Sequence, residues 1–118
     1  GFGKAGFFND MKDSTFKSVI QYFNEKNKII VGICTGVIPL GEAGILKGRR
    51  ATTYLLDNER YFSQLEKYRA IPIREKIVED ENLITCSGPK NALETAFLLL
   101  EKFSDKENCN IVKKNMCF

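Results

Sequence analysis

The chain is predicted to fold as an α/β domain, a layered and mostly parallel sheet with helices packed on its faces. Three observations predict this. Residues 29–33 read Ile-Ile-Val-Gly-Ile, an apolar run too short for a helix and too apolar for a half-exposed strand, as in a parallel strand covered on both faces. Helical periodicities flank that run, over 14–26 and from Val37 to Ala43. A last helix, opening at Pro89, carries a wide apolar face suited to packing on a sheet. Buried strands joined by helices stack into such layers, and 118 residues suffice for one domain and not for two.

Taken in order, Gly1-Phe2-Gly3-Lys4-Ala5-Gly6 reads as a loop, since glycine lets backbone approach a ligand or a neighbour. Asp10 or Asp13 caps the first helix, in which Phe16, Val19, Ile20 and Phe23 share one face, and Asn27 ends it. The strand at 29–33 is expected in the sheet interior. An interior strand needs a neighbour on each side, so at least one partner strand is expected from sequence before Gly1, as in a fragment or a split polypeptide. Cys34 follows directly, Thr35-Gly36 turns the chain, and the next helix holds Pro39 in its first turn, where backbone N–H groups lack partners anyway. Gly44 fits the glycine that ends that helix, with Ile45 packing back on it.

Arg49 to Tyr54 reads as a strand, favoured by Thr52 and Thr53. Asp57 or Asn58 caps a helix through Phe62, Leu65 and Tyr68, and Ile71-Pro72-Ile73 is extended. Lys76-Ile77-Val78 and Leu83 to Cys86 flank Asp80-Glu81-Asn82, either as a hairpin or as two short strands joined by a turn. Ser87-Gly88-Pro89 then opens the last helix, with Ala92, Leu93, Ala96, Phe97, Leu99, Leu100 and Phe103 on its apolar face. Residues 1–103 are read as the carboxyl-terminal part of one domain, and 104–118 as an irregular polar tail.

Lys plus Arg number 18 against 15 Asp plus Glu, and this scattered excess of +3 does not call for a nucleic-acid partner. The chain has no histidine, so acid–base chemistry falls to carboxylates, Cys, Tyr, Lys or groups outside it. The cysteines at 34, 86, 109 and 117 form no close pair and fit neither a zinc site nor a disulfide scaffold. Free thiols in a mixed α/β chain point to a reducing, cytoplasmic setting. No apolar run approaches the roughly 18 residues of a membrane span, and neither a metal, a nucleotide nor a flavin is expected.

The chemistry concentrates at Cys34. A strand that ends in cysteine and turns at once into a helix holds the side chain at the carboxyl end of the sheet, where open α/β sheets place their ligands. Helix-start N–H groups favour a thiolate and can hold an oxyanion. The competing reading is an inert buried thiol, a common role for free cysteine.

The run from Ile33 to Tyr54 resembles the DJ-1/PfpI (ThiJ) family of the class I glutamine amidotransferase-like superfamily. The residues that carry the resemblance are Cys34-Thr35-Gly36 and then Ala43-Gly44-Ile45-Leu46-Lys47-Gly48-Arg49-Arg50-Ala51-Thr52-Thr53. Asn82 to Pro89 with Ala92-Leu93-Glu94 is similar to the family's later motif, and Gly1-Phe2-Gly3 to its glycine loop. The resemblance implies a flavodoxin-like three-layer sandwich that here lacks its amino-terminal strands, and a homodimer. It implies Cys34 as the nucleophile on a strand-to-helix elbow, with Thr35 and Gly1 contributing backbone N–H groups to the catalytic site. It also implies an acidic partner of Cys34 before Gly1, and a structural carboxylate at Glu94.

Thr35 stands where proteases of the family place histidine, and the Cys-Thr-Gly variant is similar to the isonitrile hydratase branch. Tyr54 replaces that branch's histidine, and Cys86-Ser87-Gly88-Pro89 replaces Ser-Arg-Gly-Pro. Three functions follow: an enzyme acting on a small electrophilic substrate (a hydratase, hydrolase or glyoxalase), a redox-sensing or protein-protecting module, or a regulatory domain without turnover. The remaining candidates have plainer readings. Arg49 and Arg50 form a solvated or interface pair, Asp80-Glu81 is a turn, and Tyr54 packs its ring or faces the cysteine.

Overall fold

The computed structural model describes residues 8, 9 and 11–118; Gly1, Asp10 and the rest of the glycine-rich opening lie outside the described residues. Helix α1 (Ser14–Glu25) is capped by Asp13, whose carboxylate accepts the Phe16 N–H at 2.9 Å, and it ends where Asn27 enters the left-handed region at φ 52°. Strand β1 (Ile30–Ile33) leads through a one-turn 3₁₀ segment (Cys34–Gly36) into α2 (Val37–Glu42). Pro39 sits in the first turn of α2 as expected. At its end the Gly44 N–H reaches the Gly41 carbonyl and the Ile45 N–H the Leu40 carbonyl, with Gly44 at φ 82°. That is the left-handed glycine cap read from the sequence.

The expected strand over 49–54 shrinks to β2 (Arg50–Ala51), paired in parallel with β3 (Ile71–Pro72). The ladder uses the N–H groups of Ile71 and Ile73 and passes over Pro72, which has none to give. The expected helix from Asp57 is likewise reduced to α3 (Gln64–Lys67). Asp57, Asn58 and Glu59 all lie at positive φ (61°, 50° and 58°), and three left-handed residues in succession cannot begin a right-handed helix. Phe62 and Leu65 are nevertheless buried, as their spacing predicted.

Strands β4 (Ile77–Asp80) and β5 (Leu83–Cys86) form a hairpin with Asp80 opposite Leu83, so Glu81-Asn82 is a two-residue turn. The second sheet runs β1-β5-β4, with β5 parallel to β1 and antiparallel to β4. The sheet is mixed rather than strictly parallel: β1–β5 and β2–β3 pair in parallel and β4 runs against β5. Its centre among the described residues is β5, all four of whose residues are buried. Among the described residues strand β1 lies at the edge, where the sequence reading expects an interior strand flanked by one from outside them, and Ile33 is 37% exposed. An apolar run reports that the faces of a strand are covered; it carries no record of which backbone edges are paired.

The main core joins Ile30 and Leu83 of the sheet to Val37 and Leu40 of α2, with Leu46, Ala51, Phe62 and Leu65 around them. Helix α4 (Ala92–Phe103) follows a 3₁₀ turn at Pro89–Asn91, but of its predicted apolar face only Phe97 is buried, and Leu93 and Phe103 are exposed. The tail is corrected outright: 104–118 is not irregular but carries helix α5 (Lys106–Asn115). Asp105 caps it by accepting the Asn108 N–H at 2.7 Å, and Cys109 is 1% exposed with its thiol on the Phe97 carbonyl at 3.4 Å. Lys113 and Lys114 in its last turn complement the helix dipole. Phe118 then sets its ring edge-on to Phe97 at 5.0 Å. Among the described residues no helix is long and apolar enough to cross a membrane.

Candidate functional site

The sequence places an abrupt change of backbone at Cys34, and the structure realises it in one residue. Ile33 is extended (φ −115°, ψ 129°), whereas Cys34 is left-handed at φ 58°. A residue with a β-carbon occupies that region at a cost of roughly 1–2 kcal/mol, so its surroundings must hold it there. The following 3₁₀ turn and α2 supply the anchor, because Val37 to Gly41 are all buried. Cys34 itself is only half-buried. The thiol thus stands at the carboxyl end of β1, on a rigid base, with access to solvent.

Two donors hold the Cys34 carbonyl. The Val37 N–H closes the turn onto it, and the Thr53 hydroxyl donates to it at 2.7 Å. Thr53 is fully buried, and so is its neighbour Thr52, whose N–H donates at 2.9 Å to the hydroxyl of Thr85 on β5. The chain leaving β2 is therefore tied to both the elbow and the central strand. This explains why 52–54 departs from the expected strand: its polar groups serve the elbow instead of a ladder.

The other sequence candidates fall into place around this geometry. Thr35 lies half-buried inside the turn, and its N–H belongs to the same peptide as the Cys34 carbonyl. Gly1 lies outside the described residues. Cys86 is the strand partner of Ile33, which brings it one strand over from the elbow, but it is fully buried and its thiol donates to the Gly88 carbonyl at 3.2 Å. Tyr54, half-buried, packs its ring edge-on to Tyr61 with centroids 6.1 Å apart. Glu94 is exposed in the first turn of α4.

Arg49 and Arg50 belong to a clamp at the opposite end of the sheet. Arg49 donates to the Asp80 carbonyl and, at 3.2 Å, to Asn24; Arg50 donates to the Glu79 carbonyl at 2.9 Å and pairs with the Asp80 carboxylate at 3.8 Å. Asn82 completes the clamp by donating to the Lys28 carbonyl at 2.9 Å. These groups join α1, β2 and the hairpin turn and do not approach the elbow.

Sequence reasoning missed the hydroxyl of Thr53, which it treated only as a strand former. It also missed the Tyr68 hydroxyl, which donates at 2.9 Å to Glu42 at the end of α2. Burial, and then the adjacent Glu42 carboxylate, push the titration of Tyr68 upward from the ordinary tyrosine range. Neither bond has a local signature, since its partners are 19 and 26 residues apart. Among the described residues no three His, Cys, Asp or Glu side chains group closely enough to hold a metal ion.

Residues 3–102 match the model of the DJ-1/PfpI family. The chain is 30% identical over 111 residues to isonitrile hydratase of Pseudomonas putida, covering 94% of this chain and 47% of that protein. It is 28% identical over 98 residues to glutathione-independent glyoxalase DJ-1 of Schizosaccharomyces pombe, covering 83% of this chain and 49% of that protein. The chain thus spans about half the length of these curated relatives. In three dimensions it is similar to a ThiJ/PfpI family protein from Pseudomonas syringae, with a TM-score of 0.86, 24% identity, and coverage of 98% of this chain and 46% of that one. That last likeness is one of fold.

Proposed function

The chain belongs to the DJ-1/PfpI family, and from that premise we propose that it is part of a cysteine-dependent enzyme acting on a small electrophilic substrate. The observation that carries the proposal is the elbow: Cys34, half-buried at φ 58°, stands at the end of a parallel strand over a helix buried from Val37 to Gly41. The mixed α/β, flavodoxin-like fold suits such a site, because it leaves the carboxyl ends of its parallel strands open to ligands. In the proposed step the deprotonated Sγ forms a bond to an electrophilic carbon. In an aldehyde the π pair of that carbon moves to the oxygen, whose charge is met by the Thr35 N–H and by an N–H from the loop at Gly1. In an isonitrile the charge falls on the attacked carbon, which takes up a proton, and water then adds to it and displaces the thiolate to release the formamide.

The substrate class we favour is an isonitrile or similarly small carbon electrophile, supported by the identity to isonitrile hydratase and by the Cys-Thr-Gly sequence at 34–36. A small aldehyde is the second choice, supported by the likeness to the yeast glyoxalase. The test is turnover by the full-length protein of simple alkyl isonitriles, of methylglyoxal and of short peptides, measured side by side. Isonitrile hydration to the formamide is the expected result. Turnover of peptides alone would overturn it, and no turnover of any substrate would leave a protective role, in which Cys34 is oxidised reversibly.

The outer edge of β1 carries no strand among the described residues, although every side chain of Ile30–Ile33 that is not hydrogen is apolar. Flat apolar edges are protected in stable proteins. We therefore propose that a strand from outside the described residues pairs with it, on the same polypeptide or on a companion, and brings the acidic partner of Cys34. A cytoplasmic homodimer completes the proposal; four free thiols support a reducing compartment. Intact-mass measurement of the purified protein is expected to find more polypeptide than these 118 residues account for. A stable, folded species of this chain alone would overturn the added strand.

A further inference from the structure

We infer that Thr53 is a positioning residue for the Cys34 site, its hydroxyl fixing and polarising the peptide that joins Cys34 to Thr35. The inference rests on the reading of Cys34 as the reactive thiol and adds the group that orients it. The Cys34 carbonyl and the Thr35 N–H are two ends of one rigid peptide plane. A donor seated on the carbonyl therefore sets the direction of the N–H. It also strengthens the N–H as a donor, because hydrogen bonds in a chain polarise one another.

The geometry is specific. Thr53 Oγ1 lies 2.7 Å from the Cys34 oxygen, and Thr53 is itself fully buried, so the donor side of the bond is shielded from water. Its backbone is held in turn through the adjacent Thr52 N–H, 2.9 Å from the Thr85 hydroxyl on the central strand. Cys34 also needs such a restraint, since its φ of 58° would otherwise relax toward the ordinary regions. The six residues of α2 form too short a helix for its dipole to dominate the site, so a local, polarised peptide is the stronger source of positive potential at the thiol.

Three versions of the full-length protein test this: the parent, Thr53→Val, which keeps the shape and removes the hydroxyl, and Thr53→Ser, which keeps the hydroxyl. Each is labelled with iodoacetamide at neutral pH, and the rate is read at every cysteine by mass spectrometry. Buried Cys86 and Cys109 report any loosening of the fold in the same experiment. The expected result is a fall in the Cys34 rate of about five-fold in Thr53→Val, the scale of one hydrogen bond, with recovery in Thr53→Ser. The ¹⁵N resonance of the Thr35 amide should move in Thr53→Val and return in Thr53→Ser, because it senses the bond on the preceding carbonyl.

Should Thr53→Val fail to fold, Thr53→Ala removes the same hydroxyl without adding a methyl to the cavity. If Cys34 is labelled at the parent rate in the variants lacking the hydroxyl, or if Thr53→Ser is as slow as Thr53→Val, the positioning role is overturned. If Cys34 is not labelled even in the parent, the reactive-thiol reading itself falls, and this inference with it.

Discussion

On the proposed reading, Cys34→Ser is expected to lower turnover in the full-length protein by at least about 10³-fold and to leave the fold intact. Serine retains the shape of the side chain, and Cys34 is half-buried on the elbow rather than packed in the core cluster, so little stability is at stake. What disappears is the nucleophile, because an unassisted hydroxyl is a far weaker one than a thiolate. The same substitution removes the dominant site of iodoacetamide labelling. Burial excludes Cys86 (0% exposed) and Cys109 (1% exposed) from that reaction, so Cys34 competes only with the exposed Cys117 near the chain end. Cys34 is expected to react first. If Cys117 is labelled readily at pH 6–7 while Cys34 stays untouched, the nucleophile assignment gives way to an inert thiol.

The second large effect is structural. Gly41→Ala is expected to destabilise the domain by about 3 kcal/mol, the upper range for overpacking a core. A β-carbon at this position would lie 2.4 Å from Tyr68 Cδ2 and 2.5 Å from its Cγ. The ring has no easy retreat. Its hydroxyl is bonded to Glu42, the residue next to Gly41, at 2.9 Å, and its plane packs against the main core. Something larger than a rotamer must shift, either α2 away from α3 or the backbone leading into β3. Since α2 is also the base of the elbow, the strain is expected to reach Cys34 and to slow its alkylation as well. Equilibrium denaturation checks the first effect, as a lower midpoint with an unchanged slope. An unchanged midpoint would mean that α2 does not press on the Tyr68 ring.

Several elements were legible before any coordinates. The first helix is readable because Asp13 offers a cap and Phe16, Val19, Ile20 and Phe23 repeat at helical spacing. The elbow is readable because an apolar strand stops at Cys34 and a Thr-Gly turn follows without a linker. The end of α2 is readable from Gly44, since few other residues accept a φ of 82°. Other elements were misread for identifiable reasons. Helix α5 holds only Cys109, Ile111 and Val112 as apolar residues among polar and charged ones, and its cap at Asp105 draws no attention without a wider apolar face. The segment from Asp57 looks like a capped helix, yet Asp and Asn also tolerate the left-handed region; here Asp57 and Asn58 use that freedom and Glu59 follows them into it.

The sequence by itself determined the place of Cys34 between a strand and a helix, the alternation of strands and helices around it, and membership of the DJ-1/PfpI family. These are local properties: side-chain polarity, spacing along one element, and a turn made by adjacent residues. Only the tertiary structure decided that β5 and not β1 is the centre of the described sheet, that β4 runs against its neighbour, and that the Cys34 peptide is held by a hydroxyl 19 residues away. Each of these is a backbone or hydroxyl hydrogen bond between distant segments. Every residue but proline carries the same backbone donor and acceptor, so the choice among partners leaves no mark on the residue types and is made when the chain packs.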